Sequence, residues 1–234
     1  MALNKQTITV YTICWNEIFL LPHFFEHYKW ANKIVVYDNG SDDDSQEFVK
    51  AQPKGELRFY DTQNTQDNQV MRGVKNNCWK GDTSDWVVVC DMDEFLIGHE
   101  KLEKYLGEIC VFNCKQWEMI YKEVPADFKT NGFKVHSKRH AYKGICFSPK
   151  IEEINYGLGA HHCQPIPNNV IKNVLELNHY SCLSEDYLVN RWKRYAPRIG
   201  ENDLKRELTT NYLWEEEKIR NYYKRLLCLA QPNS

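Results

Sequence analysis

Three apolar runs in the first half of the chain each stop abruptly at a polar, largely acidic cluster. Ile8–Ile13 (ITVYTI) leads into Cys14–Glu17, Lys33–Tyr37 (KIVVY) into Asp38–Asp44, and Trp86–Cys90 (WVVVC) into Asp91–Glu94. Runs this short and this rich in β-branched residues read as buried strands. A fourth strand is predicted at Glu56–Tyr60. Between the strands, Ile18–Trp30, Ser41–Lys50 and Gln66–Trp79 carry helical spacing, and Ser41 with Asp42–Asp44 suits a helix N-terminus. Four alternations of strand and helix predict an α/β fold with a mostly parallel sheet and helices on both faces. In such sheets ligands bind beyond the carboxyl ends of the strands, so the three polar clusters are expected to meet in one crevice.

The second half is less regular. Ile109–Tyr121 reads as one longer strand, residues 125–178 as loop-rich, and Glu185–Tyr195 and Asn202–Leu229 as helices, the second with a bend. With 234 residues, no repeat and no low-complexity linker, one domain is expected. A net charge of −2 gives no field that would draw the chain to nucleic acid. Nine cysteines, an odd number, argue against a disulfide framework. The start MALNKQTITVYTI lacks the features of a signal peptide, and no apolar run suffices for a transmembrane segment. The expectation is a reduced, cytoplasmic protein whose cysteines mostly fill the core.

The cluster Asp91-Met92-Asp93-Glu94 carries the strongest chemical signal. Alternate residues at a strand end direct two carboxylates toward the same space, and their repulsion calls for a cation. Mn²⁺ or Mg²⁺ would relieve it and bridge to phosphate oxygens. Taken alone, a D-x-D string is more often a solvated turn; its position directly after an apolar strand favours the metal reading. Arg72, Gln69 and Lys143 are candidates to neutralise phosphate. Trp117, Tyr121 and Trp192 offer flat faces to a sugar, although such residues more often fill a core. Cys110-x₃-Cys114 and His161-His162-Cys163 suggest a zinc-binding module instead, but lack paired Cys units at zinc-finger separation. Neither G-x-G-x-x-G nor a P-loop follows the first strand, which excludes the common dinucleotide and NTP cradles.

The strings ICWNE (Ile13–Glu17), VVYDNGSDD (Val35–Asp43), DWVVVCDMDEFL (Asp85–Leu96), KGICFSPKI (Lys143–Ile151), GLGAHH (Gly157–His162) and LNHYSCLSEDYL (Leu177–Leu188) are specific in combination. Over about residues 7–195 the chain resembles the family 2-like glycosyltransferases of the GT-A fold, in the branch with a D-x-D-E-F metal motif. The resemblance implies a GT-A (Rossmann-like) fold with a helical C-terminal extension. A nucleotide-binding half would run to about residue 100, and an acceptor and metal-completing half over about 101–180. C-terminal helices would follow over about 184–230. Asp38 would hold the base and ribose of a nucleotide-sugar donor, UDP-sugar favoured, with Thr12 and Glu17 lining the same pocket. Asp91 would touch ribose or metal and Asp93 the metal, completed by His179, with His161 or His162 next in line. The acceptor would be a glycan, lipid-linked or other hydroxyl. An inverting transfer needs a carboxylate base, for which Glu118 comes first and Asp127 and Glu153 follow. A catalytically inactive sugar- or nucleotide-binding module is the alternative.

Overall fold

The computed structural model describes residues 6–128, 132–136 and 142–232. Four strand–helix alternations come first: β1 (Ile8–Cys14), α1 (Leu21–His27), β2 (Lys33–Asp38), α2 (Ser45–Lys50), β3 (Gly55–Phe59), α3 (Asn68–Asn77) and β4 (Trp86–Asp91). The chain continues through β5 (Glu94–Ile97), β6 (Val111–Ile120), β7 (Phe133–His136), β8 (Tyr142–Phe147) and β9 (Val170–Cys182). It ends with α4 (Glu185–Tyr195), α5 (Glu201–Lys205), α6 (Glu216–Leu229) and β10 (Gln231–Pro232).

The strands form one sheet in the order β10-β7-β6-β8-β4-β1-β2-β3, with β9 pairing β5 and β6. The portion β4-β1-β2-β3 is parallel, as the sequence predicts. Beyond β4 the pairing turns antiparallel, except for β6 with β9. Register explains why the polar clusters meet. Cys14 lies opposite Asp38, and Ile13 opposite Asp91, so β1, β2 and β4 end within a residue of one another.

Side-chain alternation sorts the core into two layers. Ile8, Val10, Ile34, Val36, Trp86 and Val88 pack beneath α1 and α2, which supply Leu21, Phe24 and Val49. Tyr11, Val35, Val87 and Val89 face the opposite side, where Cys78 and Trp79 close α3. Helices therefore cover both faces. A third cluster joins Leu188, Val189 and Trp192 of α4 to Ile219 and Tyr223 of α6 over Ile120 and Cys182. That packing fixes the C-terminal helices against the ends of β6 and β9.

Several boundaries move. The stretch expected to be loop-rich contains β7, β8 and most of β9, because exposed Lys172, Asn173 and Glu176 and an irregularity at Asn173 (φ 61°) interrupt the alternation that buries Leu175 and Leu177. Gly144 breaks the apolar run of β8 for a steric reason: a Cβ there would come within 2.5 Å of Cys163 Sγ. The long final helix divides, since Glu207 and Thr209 both adopt φ of 55°, which no helix accommodates. Cys14, Cys78, Cys90, Cys110, Cys114, Cys146 and Cys182 are buried free thiols, as core-filling cysteines should be. No helix among the described residues is long and apolar enough to cross a membrane.

Trp86 is fully buried and meets the edge of Phe112 at 5.3 Å between ring centres. Its truncation, Trp86→Ala, is expected to lower unfolding free energy by about 3–5 kcal/mol, read from urea denaturation.

Candidate functional site

The chain reverses at Met92–Asp93 between β4 and β5. Met92 turns into the core, while Asp93 accepts the Tyr180 N–H through its carbonyl at 2.7 Å. The β5–β9 ladder then sets Glu94 opposite His179, and the β6–β9 ladder sets Glu118 opposite the same histidine. Residues distant in sequence thus reach the acidic turn through strand register alone.

The acids of this turn are compensated by cations from four elements. Lys75 of α3 reaches Asp91 Oδ1 at 2.5 Å, and Lys143 of β8 reaches Asp91 Oδ2 at 3.1 Å and Glu94 Oε1 at 2.5 Å. Arg191 of α4 holds Asp93 Oδ2 at 2.5 Å, with His179 Nε2 3.4 Å from the same oxygen. Burial works against ionisation of Asp91 and Asp93. The neighbouring Lys75 and Lys143 for one, and Arg191 and His179 for the other, outweigh it and hold both carboxyls below the usual range. Burial likewise disfavours charge on Lys143 and His179, but their carboxylate partners raise both above their ordinary values.

A cleft of about 310 Å³ opens over these groups, lined among others by Glu17, Lys75, Asp91, Asp93, His179 and Arg191. A larger groove of about 1200 Å³ adjoins it. Asn68, His161, Trp192 and Tyr212 line both, and Glu118 borders the groove next to His179. Glu17 is buried at the end of β1, where Arg191 and Arg194 pair with it at 3.4 and 3.3 Å and the Tyr195 hydroxyl donates to it at 2.5 Å. It therefore clamps α4 across the cleft.

The residues expected from sequence divide. Asp91, Asp93, Glu17 and His179 line the cleft together, and Lys143 is buried beneath the acids. Glu118 meets His179 Nδ1 and the Gln116 amide through Oε1, and accepts the Ser181 hydroxyl at 3.0 Å through Oε2. Asp38 does not line the cleft. Its Oδ1 accepts Ser41 N–H and Gln46 Nε2 and its Oδ2 the Ser41 hydroxyl, so it caps its own loop, and Asn39 takes the cleft position. Thr12 is buried, its hydroxyl donating to the Ile13 carbonyl at 3.4 Å. Arg72 and Gln69 are absent from the lining, because α3 turns Met71 and Lys75 inward instead. Asp127 is exposed near His23, outside both cavities, and Glu153 pairs with Lys80 at 2.5 Å. Trp117 borders the groove, Trp192 both spaces, and Tyr121 is core, its hydroxyl on the Phe128 carbonyl. His162 is exposed.

Sequence reading overlooked Lys75 and the stripe Arg191, Arg194 and Arg198. Arg191 and Arg194 share one face of α4 and Arg198 lies in the turn after it, so a cationic face next to an acidic strand end was the available signal.

Asp93 Oδ2 and His179 Nε2, 3.4 Å apart, suit adjacent positions on one ion, whose neighbouring ligands lie about 3 Å from each other at a metal–ligand distance of about 2.1 Å. Glu118 on Nδ1 would then be an outer carboxylate orienting the imidazole. Among the described residues no three His, Cys, Asp or Glu side chains form a metal-holding group. The protein donors would number two, with water or phosphate completing the shell, as is common for Mg²⁺. The cysteine and histidine pairs likewise form no three-residue metal-holding group among the described residues.

Two expectations follow from these contacts. Asp38→Ala strands the Ser41 N–H and the Gln46 amide, and should lower stability by about 1–3 kcal/mol in urea denaturation. His179 has a folded-state value raised well above 6.5, so its charge stabilises the fold fully below about pH 6.5, and this contribution is lost as pH rises through the raised value. The melting-temperature gap between the wild type and His179→Gln should accordingly be widest near pH 6 and shrink with increasing pH.

No protein-family model matches the chain, and no curated protein matches it. Among solved structures, HddC from Yersinia pseudotuberculosis is similar at 9% identity over 79% of this chain and 97% of its own, with a TM-score of 0.37. A "putative nucleotide-diphospho-sugar transferase" from Desulfovibrio desulfuricans G20 is similar at 11% identity over 94% of this chain and 99% of its own, with a TM-score of 0.36. Likeness at that level carries no argument about fold or activity.

Proposed function

We propose that this chain is a glycosyltransferase that takes its sugar from a nucleoside-diphosphate donor. The observation that carries the reading is the single cleft in which the Asp91–Asp93 turn, at the carboxyl ends of parallel strands, faces Lys75, Arg191 and His179. The motif resemblance over about residues 7–195 agrees with it. Transfer of a glycosyl group leaves negative charge on the departing diphosphate, and fixed positive groups in a recessed site stabilise that charge. Lys75 and Arg191 are the cations poised at the cleft wall. Asp93 and His179, the latter once its imidazole gives up the Nε2 proton, would hold Mn²⁺ or Mg²⁺, which when bound supplies Lewis-acid charge to the phosphate oxygens. Arg191 would then exchange its Asp93 contact for phosphate, a switch its long side chain permits.

The adjoining groove would receive the acceptor, a glycan or lipid-linked hydroxyl, against the faces of Trp117, Trp192 and Trp214. An inverting course needs a proton acceptor where groove and cleft meet. Glu118 stands there: His179 fixes Oε1, while Oε2 meets a Ser181 hydroxyl that can rotate away. That division of the two oxygens lets one carboxylate both orient His179 and take a proton.

Incubation with UDP-, dTDP- and GDP-sugars and Mn²⁺ should release nucleoside diphosphate from at least one donor. Asp93→Ala should lower that turnover about a hundredfold or more. Glu118→Gln should lower it by about 10²–10⁴-fold while leaving donor affinity nearly unchanged. Full nucleotide affinity and turnover in the presence of chelator would remove the metal from the scheme. No binding of any nucleotide sugar would overturn the reading as a whole.

A further inference from the structure

Arg198 follows α4 in a short 3₁₀ turn, lines the cleft and is only 6% exposed. Its guanidinium lies 3.7 Å from the centre of the Trp15 ring, and its Nε donates to the Asn64 carbonyl at 3.2 Å. The backbone is pinned as well, because the Arg198 carbonyl accepts the Gln66 N–H at 2.5 Å. Neither terminal nitrogen meets a protein acceptor among the described residues. Nη2 is sealed from solvent, which leaves Nη1 as the open edge of the group. No carboxylate among the described residues forms an ion pair with this arginine, and burial lowers its pKa.

The other Lys and Arg side chains described in the cleft wall are already paired. Lys75 lies 2.5 Å from Asp91 Oδ1, and Arg191 lies 2.5 Å from Asp93 Oδ2. Burial opposes charge on both Arg191 and Arg198. Asp93 overrides it at Arg191, whose pKa rises, while that of Arg198 falls for want of such a partner. The guanidinium stays charged all the same. A buried charge without a counter-charge is costly, and an anion in the cleft would relieve it. Trp15 comes two residues after Ile13, the partner of Asp91 in the β1–β4 ladder. The Trp15–Arg198 contact and the acidic turn therefore stand at one mouth.

We propose that Arg198 is a metal-independent anion site that takes a phosphate group of the donor before the divalent ion arrives. This role rests on the transferase reading above and assigns an order of binding to it. Lys75 and Arg191 can meet a phosphate only by leaving Asp91 and Asp93 uncompensated, so their contribution waits for the cation that replaces them. Arg198 gives up no carboxylate. Its contacts with Asn64 and Trp15 fix the guanidinium in advance, so little side-chain entropy is lost when a phosphate binds. Hydrogen bonds between guanidinium and phosphate are also charge-assisted on both sides.

Calorimetric titration of inorganic pyrophosphate, UDP, dTDP and GDP, each with chelator and then with Mn²⁺, is the test. Pyrophosphate and at least one nucleotide should bind the wild type in chelator, and Mn²⁺ should tighten the nucleotide further. Arg198→Met should weaken both metal-free affinities about tenfold or more, with the fold checked by melting temperature. Should the variant fail to fold, wild-type crystals soaked with pyrophosphate and chelator answer the same question, with a phosphate expected against Arg198 Nη1. Undiminished metal-free affinity in Arg198→Met, or a phosphate seated away from Arg198, would overturn the anion site. So would a wild type that binds nucleotide only when Mn²⁺ is present, an outcome that leaves the transferase reading standing. Binding of no nucleotide in either condition would overturn that reading, and the role of Arg198 with it.

Discussion

Carboxylates crowded at a recessed strand end cannot remain ionised by themselves, and compensation of the Asp91–Asp93–Glu94 turn organises much of this molecule. Lys75 comes from α3, Lys143 from β8, His179 from β9 and Arg191 from α4. Each contact ties a different layer to the same point. Desolvation makes the pairs indispensable rather than strongly favourable: removing one partner leaves a buried charge uncompensated, which costs more than the intact pair contributes. The acidic turn is thus a structural junction as well as a candidate site.

The same charges describe what a ligand must bring. Lys143 is enclosed and pairs with two acids, so it belongs to the frame. Arg191 and Lys75 stand at the cleft wall and pair with acids that also face the opening. An incoming diphosphate with a divalent ion carries both signs of charge and allows these pairs to be exchanged without stranding either member. A neutral ligand could not make that exchange. This is the physical basis for favouring a nucleotide-sugar over an uncharged saccharide as the species bound beside Asp93.

Helix α4 closes the site from the far end of the chain. Glu17 gathers Arg191, Arg194 and Tyr195, while Trp15 carries Arg198 on its face. Asn68 at the start of α3 donates to Asp203 at 2.6 Å and joins α5 to the same wall. Helix α4 and residues 209–212 consequently form part of the cleft, whereas the sequence suggested a helical extension beyond it. Without tertiary contacts, arginines on an amphipathic helix are indistinguishable from a solvated face, since their spacing is the same in both cases.

The parallel β4-β1-β2-β3 core was determined by local sequence. Short β-branched runs, helical spacing between them and polar strand ends act over a few residues, and the alternation rule joins them into one layer order. Asp91, Asp93 and Glu17 were legible for that reason: a carboxylate just beyond a buried strand is placed by the strand itself. Tertiary structure decided the partners. Register across β5, β9 and β6 brought His179 between Asp93 and Glu118, although only one of these lies near the acidic turn in sequence. Asp38, by contrast, was captured by Ser41 and Gln46, because a nearby N–H and amide compete effectively with any ligand for an Asx side chain at a turn. Lys75 rather than Arg72 reached Asp91 because the rotation of α3 about its axis is set by packing against Val87 and Val89. Helical periodicity specifies which residues share a face; only the packed sheet specifies where that face points.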